Sequence, residues 1–177
     1  MRRRSLLLLL PALAAAALAI GGLRPEAPAK TGGPDRGTDD PGAVRIVDGD
    51  TLRIGAHRVR LYGIDAPERA QNCDGADRRP YPCGAAASAA LTRMIGGARP
   101  DCAERDRDRY GRSVAVCSVA GRDLNRAMVA AGWAVAYVRY SRDYERDEAA
   151  ARRARLGIWR GSFERPDVYR SARRRRG

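Results

Sequence analysis

Histidine is almost absent from this sequence, since His57 is the only one among 177 residues. Mechanisms that need two histidines, or a histidine metal-ligand set, are therefore excluded. A Ser-His-Asp triad would depend on His57, and the sequence has no GxSxG nucleophile elbow to accompany it. A glycine-rich phosphate loop of the Walker type is also missing. Carboxylates and arginines remain as candidates for catalysis, and His57 is expected to be a solvent-facing strand residue.

Lysine is equally scarce. Lys30 is the only one, so the formal net charge of +13 comes almost entirely from arginine. A positive surplus attracts polyanions, and the guanidinium fork binds two phosphate oxygens at once. A soluble basic surface in an arginine-rich chain would give the same charge. Charge by itself therefore favours neither interpretation.

Cysteine is limited to four residues, none of them in CxxC spacing. Zinc sites favour tightly paired ligands, so the spacing favours disulfides over a metal site. Four cysteines allow three pairings. Of these we favour Cys73–Cys83, which closes a loop, and Cys102–Cys117, which would face each other across a hairpin.

The first 20 residues have the features of an export signal. Arg2, Arg3 and Arg4 precede an uncharged apolar run from Leu6 to Ile20, with a small-x-small cleavage site at 17–19. The run is short for a membrane span, which needs about 20 apolar residues. We therefore predict a signal peptide or N-terminal signal anchor at 1–20. The protein is expected to be periplasmic or secreted, with membrane attachment if the segment is not cleaved.

The remaining chain is expected to hold a linker, one domain and a tail. Residues 21–42 are rich in Gly, Pro and Asp and predict a flexible linker. Residues 43–162 have the length and periodicity of one compact domain. Residues 163–177 form a basic C-terminal tail, in which the run Arg173–Arg176 is predicted to be disordered.

The domain alternates short strands with three helices. Strands are predicted at Val44–Val47, Thr51–Ile54, His57–Ile64, Arg99–Glu104 and Ser113–Val119. Helices are predicted at Gly84–Ile95, Asp123–Gly132, with Asp123 as its cap, and Arg142–Leu156. Five strands with interleaved helices predict a mostly β, α+β fold: a small closed barrel of the OB type with helices packed on it.

Two short segments concentrate the carboxylates and arginines. The first, VDGDT at 47–51, puts two acids at a turn, and the second, RLYGIDAPE at 60–68, puts an arginine on a strand and two acids beyond its end. If the strands are neighbours, Asp50 and Asp65 can converge on one hard cation. Glu68 would then activate a water, while Arg60 and Arg112 would bind phosphate oxygens. Either segment alone fits a solvated turn with surface arginines equally well.

The order of four motifs resembles the thermonuclease, or micrococcal-nuclease-like, family. VDGDT and RLYGIDAPE are followed by DRYGR at 108–112 and GWAVAY at 132–137, and the resemblance covers Val44 to Trp159. It implies an OB-type five-stranded barrel with three helices. It also implies a calcium-dependent endonuclease that cleaves DNA and RNA and leaves 3′-phosphate ends.

The resemblance implies a role for each residue by motif position. Asp50 and Asp65 are the expected calcium ligands, together with the main-chain carbonyl of Ala66. Asp48 is expected to support the site without binding the metal.

The other roles implied by the resemblance concern substrate and catalysis. Arg60 and Arg112 are the expected phosphate-binding arginines, and Glu68 is the expected general base. Tyr110 and Tyr137 are expected to contact the nucleotide.

The sequence departs from the family pattern at two points. Arg139 stands where the family has a second tyrosine, and the four cysteines have no counterpart in its best-known members. Trp133 and Trp159 are expected in the core. We expect a monomer whose partner is its nucleic-acid substrate.

Two other functions stay open at this stage. One is a nucleic-acid-binding module without catalysis that uses the basic face of the barrel. The other is a cell-envelope protein whose thermonuclease-like domain serves assembly or polysaccharide-related work. The complete set of acids and arginines argues against the first.

Overall fold

A computed structural model describes residues 42–176 of the chain. The predicted signal segment, and all of the predicted linker except Gly42, lie outside the described residues. Within 42–176, none of the helices has the length and apolar character needed to cross a bilayer.

The described chain consists of short strands, four α-helices and one 3₁₀ turn at Gly157–Arg160. The strands are β1 (Val44–Ile46), β2 (Thr51–Ile54), β3 (His57–Leu61), β4 (Ile64–Asp65), β5 (Cys73–Asp74), β6 (Pro80–Tyr81), β7 (Asp101–Arg107), β8 (Ser113–Val119), β9 (Arg122–Asp123) and β10 (Val135–Ala136). The helices are α1 (Cys83–Ile95), α2 (Leu124–Ala130), α3 (Glu145–Arg153) and α4 (Pro166–Arg176).

The main sheet follows the order β1-β2-β3-β8-β7, with β9 added to β8. Its pairs are antiparallel except for β3 and β8, which run parallel. Two small antiparallel pairs, β4–β10 and β5–β6, complete the strands of the described region. The α+β class is confirmed, and the five-strand path is consistent with the predicted OB-type architecture. Among the described strands, no ladder joins β1 to β7 to close a barrel.

A close approach of the chain to α1 shapes the turn between β1 and β2. The carbonyl of Thr51 accepts hydrogen bonds from the backbone N–H groups of Val47 and Asp48, at 2.9 and 3.3 Å. A Cβ atom at Gly49 would lie 2.7 Å from the Cβ of Ala66 and 2.8 Å from that of Ala87. Only glycine fits there, so the turn that carries Asp48 and Asp50 packs directly against Ala66 and helix α1.

The first two helices occur close to where they were predicted. Helix α1 ends at Gly96, whose left-handed conformation (φ 60°) is the usual helix stop. Helix α2 begins after Asp123, whose carboxylate accepts a hydrogen bond from the N–H of Arg126 and confirms the predicted cap.

Helix α3 begins at Glu145, three residues later than predicted, with three acids in its first turn.

The core lies between the main sheet and helices α1 and α2. Its largest fully buried side chains include Leu52, Leu61, Leu91, Leu124 and Met128. A smaller cluster surrounds the first disulfide, where Val135 and Ile158 are buried. Both tryptophans pack against these clusters, as predicted, although each side chain is only partly buried.

Both predicted disulfide pairings are confirmed. Cys73 is bonded to Cys83, and Cys102 to Cys117. Cys102 and Cys117 are direct partners in the antiparallel β7–β8 ladder, which is the arrangement the hairpin symmetry predicted. The first bridge fastens β5 to the start of α1 and so borders the segment that carries Glu68.

Removal of the hairpin disulfide should lower stability measurably. The Cys102→Ala/Cys117→Ala double variant loses a bridge that closes a loop of sequence separation 15. Such a loop restricts the unfolded chain by about 3 kcal/mol. Chemical denaturation should show a free energy of unfolding lower by about that amount. The oxidised wild-type protein is the comparison, and an unchanged midpoint would contradict the prediction.

The prediction of disorder for Arg173–Arg176 is wrong, because these residues form the last turn of α4. Pro166 stands at the first helical position and Asp167 in the first turn, both of which favour a helix start. The four arginines at the C-terminal end interact favourably with the helix dipole. The predicted tail therefore contributes an ordered element to the domain.

Candidate active site

The two aspartates predicted as metal ligands meet at one arginine. The strand register places Thr51 opposite Arg60, so Asp50 and Arg60 come together beside β4, which carries Asp65. Arg60 Nη2 lies 3.2 Å from Asp50 Oδ2 and 2.8 Å from Asp65 Oδ1. Both carboxylates are buried, with exposed fractions of 3% and 1%. Two buried carboxylates therefore converge on one nitrogen of the Arg60 guanidinium.

Further hydrogen bonds fix the orientation of Asp50. Its Oδ2 accepts from the N–H of Ala66 at 2.9 Å, and its Oδ1 accepts from the hydroxyl of Thr51 at 3.0 Å. Asp48 lies behind Asp50, and its Oδ1 accepts a hydrogen bond from the N–H of Asp50 at 3.1 Å. This placement suits the supporting role predicted for Asp48. The β1–β2 turn thus orients the carboxylate before any ligand arrives.

Burial and mutual repulsion disturb the ionisation of the acids. Burial, reinforced by the charge of Asp50, raises the pKa of Asp48 to about 7. Burial also raises the pKa of Asp65, against the opposing effect of its hydrogen bond with Arg170. Burial works against the charge of Arg60, yet Asp50 and Asp65 together raise the pKa of this guanidinium. Perturbed carboxyl groups clustered in this way are a frequent property of catalytic sites.

Glu68 lies at the exposed edge of the same cluster. Its side chain is 35% exposed, in contrast to the aspartates. Its backbone is held from two sides, because its N–H donates to Gln71 Oε1 at 3.2 Å and helix α1 begins directly against it. A Cβ at Gly84 would stand only 1.7 Å from the carbonyl oxygen of Glu68. Glu68 is therefore accessible to water on a rigidly placed backbone.

Arg170 of α4 joins the cluster, and the sequence analysis missed it. Its Nη1 lies 2.8 Å from Asp65 Oδ1 and 3.0 Å from Glu68 Oε1, and its Nη2 lies 2.9 Å from Asp65 Oδ2. These carboxylates raise the pKa of Arg170, although burial acts in the opposite direction. No local signal distinguishes Arg170 among the many arginines of the C-terminal segment.

Arg112 is held by a different carboxylate. Its Nε bonds Asp108 Oδ2, and its backbone N–H donates to Asp108 Oδ1 at 3.0 Å. Despite partial burial, these bonds lower the pKa of Asp108. Arg112 immediately precedes Ser113, which pairs with Val59 on β3 next to Arg60. The structure thus brings Asp50, Arg60, Asp65 and Glu68 into one set of contacts, while Arg112 is paired within its own turn.

A cavity of about 780 Å³ borders this turn. Its lining comprises Ala56, His57, Arg58, Val59, Cys102, Glu104, Arg107, Tyr110, Gly111, Arg112 and Ser113. Tyr110 is 68% exposed, and the guanidiniums of Arg109 and Arg112 lie 4.9 and 5.5 Å from its ring centroid. His57 is exposed on its strand, as predicted. An exposed ring with cations close to it suits stacking with a nucleotide base.

Tyr137 lies next to β4, just after the strand that pairs with it. It follows β10, in which Val135 pairs with Asp65, and its N–H donates to the carbonyl of Gly63 at 2.9 Å. Arg139, which replaces a tyrosine expected from the family pattern, is exposed. Tyr140, one residue further, packs its ring 4.9 Å from that of Tyr137. A second aromatic ring therefore lies beside Tyr137, although it comes from the position after Arg139.

The donor chemistry of the aspartate pair fits a hard cation. Among residues 42–176, no group of three or more His, Cys, Asp and Glu side chains is arranged to hold a metal. The predicted ligand set, however, uses only two carboxylates and a main-chain carbonyl. Asp50 and Asp65 already converge on one cationic nitrogen, and oxygen ligands of this kind are those that calcium takes. That the main-chain carbonyl of Ala66 also binds the metal stays a prediction.

Comparison with known proteins agrees with this geometry. Residues 58–161 match the family described as staphylococcal nuclease homologue. The chain is 36% identical over 140 residues to the succinoglycan biosynthesis protein ExoI of Rhizobium meliloti (strain 1021), covering 73% of this chain and 71% of that protein.

Two further relatives are named as nucleases. The micrococcal nuclease of Shigella flexneri is 33% identical over 136 residues, covering 66% of this chain and 71% of its own length. An uncharacterized endonuclease of Escherichia coli O157:H7 is 32% identical over 123 residues, covering 66% and 74%. The family match contains Arg60, Asp65, Glu68 and Arg112, whereas Arg170 lies beyond its end. These matches confirm the resemblance seen in the motifs, and the chain belongs to the family of staphylococcal nuclease homologues.

Proposed function

We propose that this endonuclease is a calcium-dependent, exported enzyme that hydrolyses DNA and RNA and leaves 3′-phosphate ends. The observation that supports the proposal is that Asp50 and Asp65 converge on the Arg60 guanidinium. Glu68 is partly exposed at the edge of this cluster. A solvated turn with surface arginines would not bury two ionisable acids together. The same complete set argues against a module that only binds nucleic acid.

Asp50, Asp65 and the Ala66 carbonyl would hold the calcium ion. When bound, the ion supplies positive charge that neutralises a phosphodiester oxygen and polarises the phosphorus. The protein orients its two carboxylates in advance, since Thr51 and the Ala66 N–H fix Asp50. Burial strengthens the electrostatic interactions in the site, because water screens them less.

Glu68 would position and deprotonate the attacking water. The water oxygen forms a bond to phosphorus, its proton passes to the Glu68 carboxylate, and the bond from phosphorus to the 5′ oxygen breaks. The departing oxygen takes up a proton, so one product ends in a 3′-phosphate and the other in a 5′-hydroxyl. Glu68 suits this role because its side chain reaches solvent while its backbone is fixed.

Arg60 and Arg112 would stabilise the negative charge that grows on phosphate oxygens during attack. Arg60 already stands at the two aspartates, so a phosphate placed there meets its guanidinium. Arg112 would exchange its one guanidinium bond to Asp108 for phosphate, two of whose oxygens the guanidinium fork can bind. Tyr110 and Tyr137 would stack with bases on either side.

Export is supported by the N-terminal pattern and by the disulfides. Such bonds persist in the periplasm and outside the cell. We propose a periplasmic or secreted monomer, attached to the membrane where its apolar N-terminal segment is retained.

Activity should depend on a divalent ion held at Asp65. The full chain should digest single- and double-stranded DNA and RNA when calcium is added, and chelator should abolish the digestion. Asp65→Asn should remove the calcium response, because one ligand charge is lost. The exposed, unrelated Asp77→Asn serves as the control. Equal digestion by wild type in chelator would contradict the calcium dependence.

A second candidate function is suggested by the relative ExoI, whose name places it in succinoglycan biosynthesis. On that view the domain works in cell-envelope polysaccharide production. The digestion assay separates the two, since this function predicts no cleavage of nucleic acid under any metal condition.

A further inference from the structure

We propose that Arg170 is a built-in counter-ion that occupies the cation position at Asp65 and Glu68, so that a divalent ion binds only by displacing it together with α4. The inference rests on the proposed function, in which Asp65 is a metal ligand. It concerns what limits metal affinity in this chain, and it assigns a role to an element outside the family match.

The contacts of Arg170 leave Asp65 without a free oxygen for a metal. Oδ1 is shared between Arg170 Nη1 at 2.8 Å and Arg60 Nη2 at 2.8 Å, and Oδ2 is bound by Arg170 Nη2 at 2.9 Å. Calcium needs the same oxygens at about 2.3–2.6 Å. If Arg170 stayed in place, its positive charge would also repel the calcium ion. Metal and Arg170 therefore exclude each other at this carboxylate.

Glu68 is held in the same way. Arg170 Nη1 lies 3.0 Å from Glu68 Oε1 and bridges it to Asp65. That oxygen is therefore taken by a guanidinium and is not open to the attacking water. Removing Arg170 would thus free Oδ2 of Asp65 and Oε1 of Glu68 together, while Arg60 keeps its bond to Asp65 Oδ1.

Helix α4 is attached in a manner that allows this movement. Pro166 is its only buried residue, and Val168 and Arg173 to Arg176 are exposed. Apart from Arg170, its hydrogen bonds to the domain include a contact of 3.4 Å between the Tyr169 hydroxyl and the carbonyl of Ala70. The segment before it is fixed more firmly, since the buried Gln71 donates to the carbonyl of Glu164 at 2.7 Å. Displacement can therefore be confined to the helix.

The test is metal affinity rather than activity. Calcium binding to the full chain is measured by titration calorimetry for wild type, Arg170→Gln and Arg173→Gln. Arg173→Gln removes the same charge from the same helix, at a residue whose guanidinium bonds the Tyr169 hydroxyl and not the acids. Charge-assisted bidentate pairs are the strong ones, so Arg170→Gln should bind calcium at least about tenfold more tightly, whereas Arg173→Gln should change affinity less than about twofold. Equal or weaker binding by Arg170→Gln would overturn the proposal.

A second measurement uses the unaltered protein. Calcium should increase amide hydrogen exchange in α4 of the wild type, because the helix loses its main attachment. Unchanged or slower exchange in α4 on calcium binding would also overturn the proposal.

Failure of the underlying function would look different. If Asp65→Asn leaves calcium binding intact, the metal site lies elsewhere and the proposed function loses its ligand. If Asp65→Asn abolishes binding while Arg170→Gln does not strengthen it, the metal site stands and only the counter-ion role is rejected.

Discussion

Glu68→Gln is expected to lower turnover by about 10²–10⁴-fold, the usual contribution of a general base. Glutamine keeps the size of the side chain and one carbonyl oxygen, but it cannot accept the proton of the attacking water. The side chain is partly exposed, so the fold should be retained. Initial rates on plasmid DNA at saturating calcium measure the effect, with thermal unfolding as the check on folding.

Glu145→Gln is the matched control for this variant. Glu145 is also a glutamate paired with an arginine, Arg142, but it lies at the start of α3 and outside the acid cluster. The turnover of the Glu145→Gln enzyme should stay within about twofold of wild type, since exposed ion pairs contribute little to stability. A Glu68→Gln enzyme with wild-type turnover would remove Glu68 from the mechanism and leave water activation to another group.

Arg112→Ala is expected to lower turnover by about 10²–10³-fold, because a donor to the developing phosphate charge is lost. Its ion pair with Asp108 is partly buried but local in sequence, so its removal should leave the fold intact. Turnover falls more than substrate affinity if the bond strengthens in the transition state. Steady-state kinetics on a short oligonucleotide would separate the two.

Arg109→Ala provides the control for Arg112→Ala. Arg109 sits in the same turn and its guanidinium also lies over the ring of Tyr110, yet no role is assigned to it in the reaction. Its loss should weaken substrate binding slightly and leave turnover unchanged. Equal kinetic losses in the two variants would mean that the turn contributes only general positive charge, and the phosphate role of Arg112 would be rejected.

The contacts within one stretch of chain were predictable from sequence. The segment from β1 to β4 contains only short turns, so the register that pairs Thr51 with Arg60 also brings Asp50 to Asp65. The prediction that Cys102 pairs with Cys117 across a hairpin was correct for the same reason. Short turns leave few possible registers, and a one-residue slip would expose the apolar face.

Other parts of the site depended on packing between distant residues. The arginine run of the C-terminal segment resembles a solvated tail, and its pattern does not show that α4 docks beside Glu68. Gln71, fully buried, ties the Glu68 segment to Glu164 across 93 positions of the chain. The place of Arg112 relative to the acid cluster likewise follows from how β8 lies beside β3.

The sequence by itself indicated the family and the class of fold, and it favoured the two disulfides and the convergence of Asp50 and Asp65, because these depend on motif order and on local strand register. Only the tertiary structure decided that Arg170 is a partner of Asp65. The two residues are 105 positions apart, and their contact exists only because helix α4 docks on the domain with one arginine directed at buried acids. Electrostatic attraction selects that arginine, but folding must first bring it within reach.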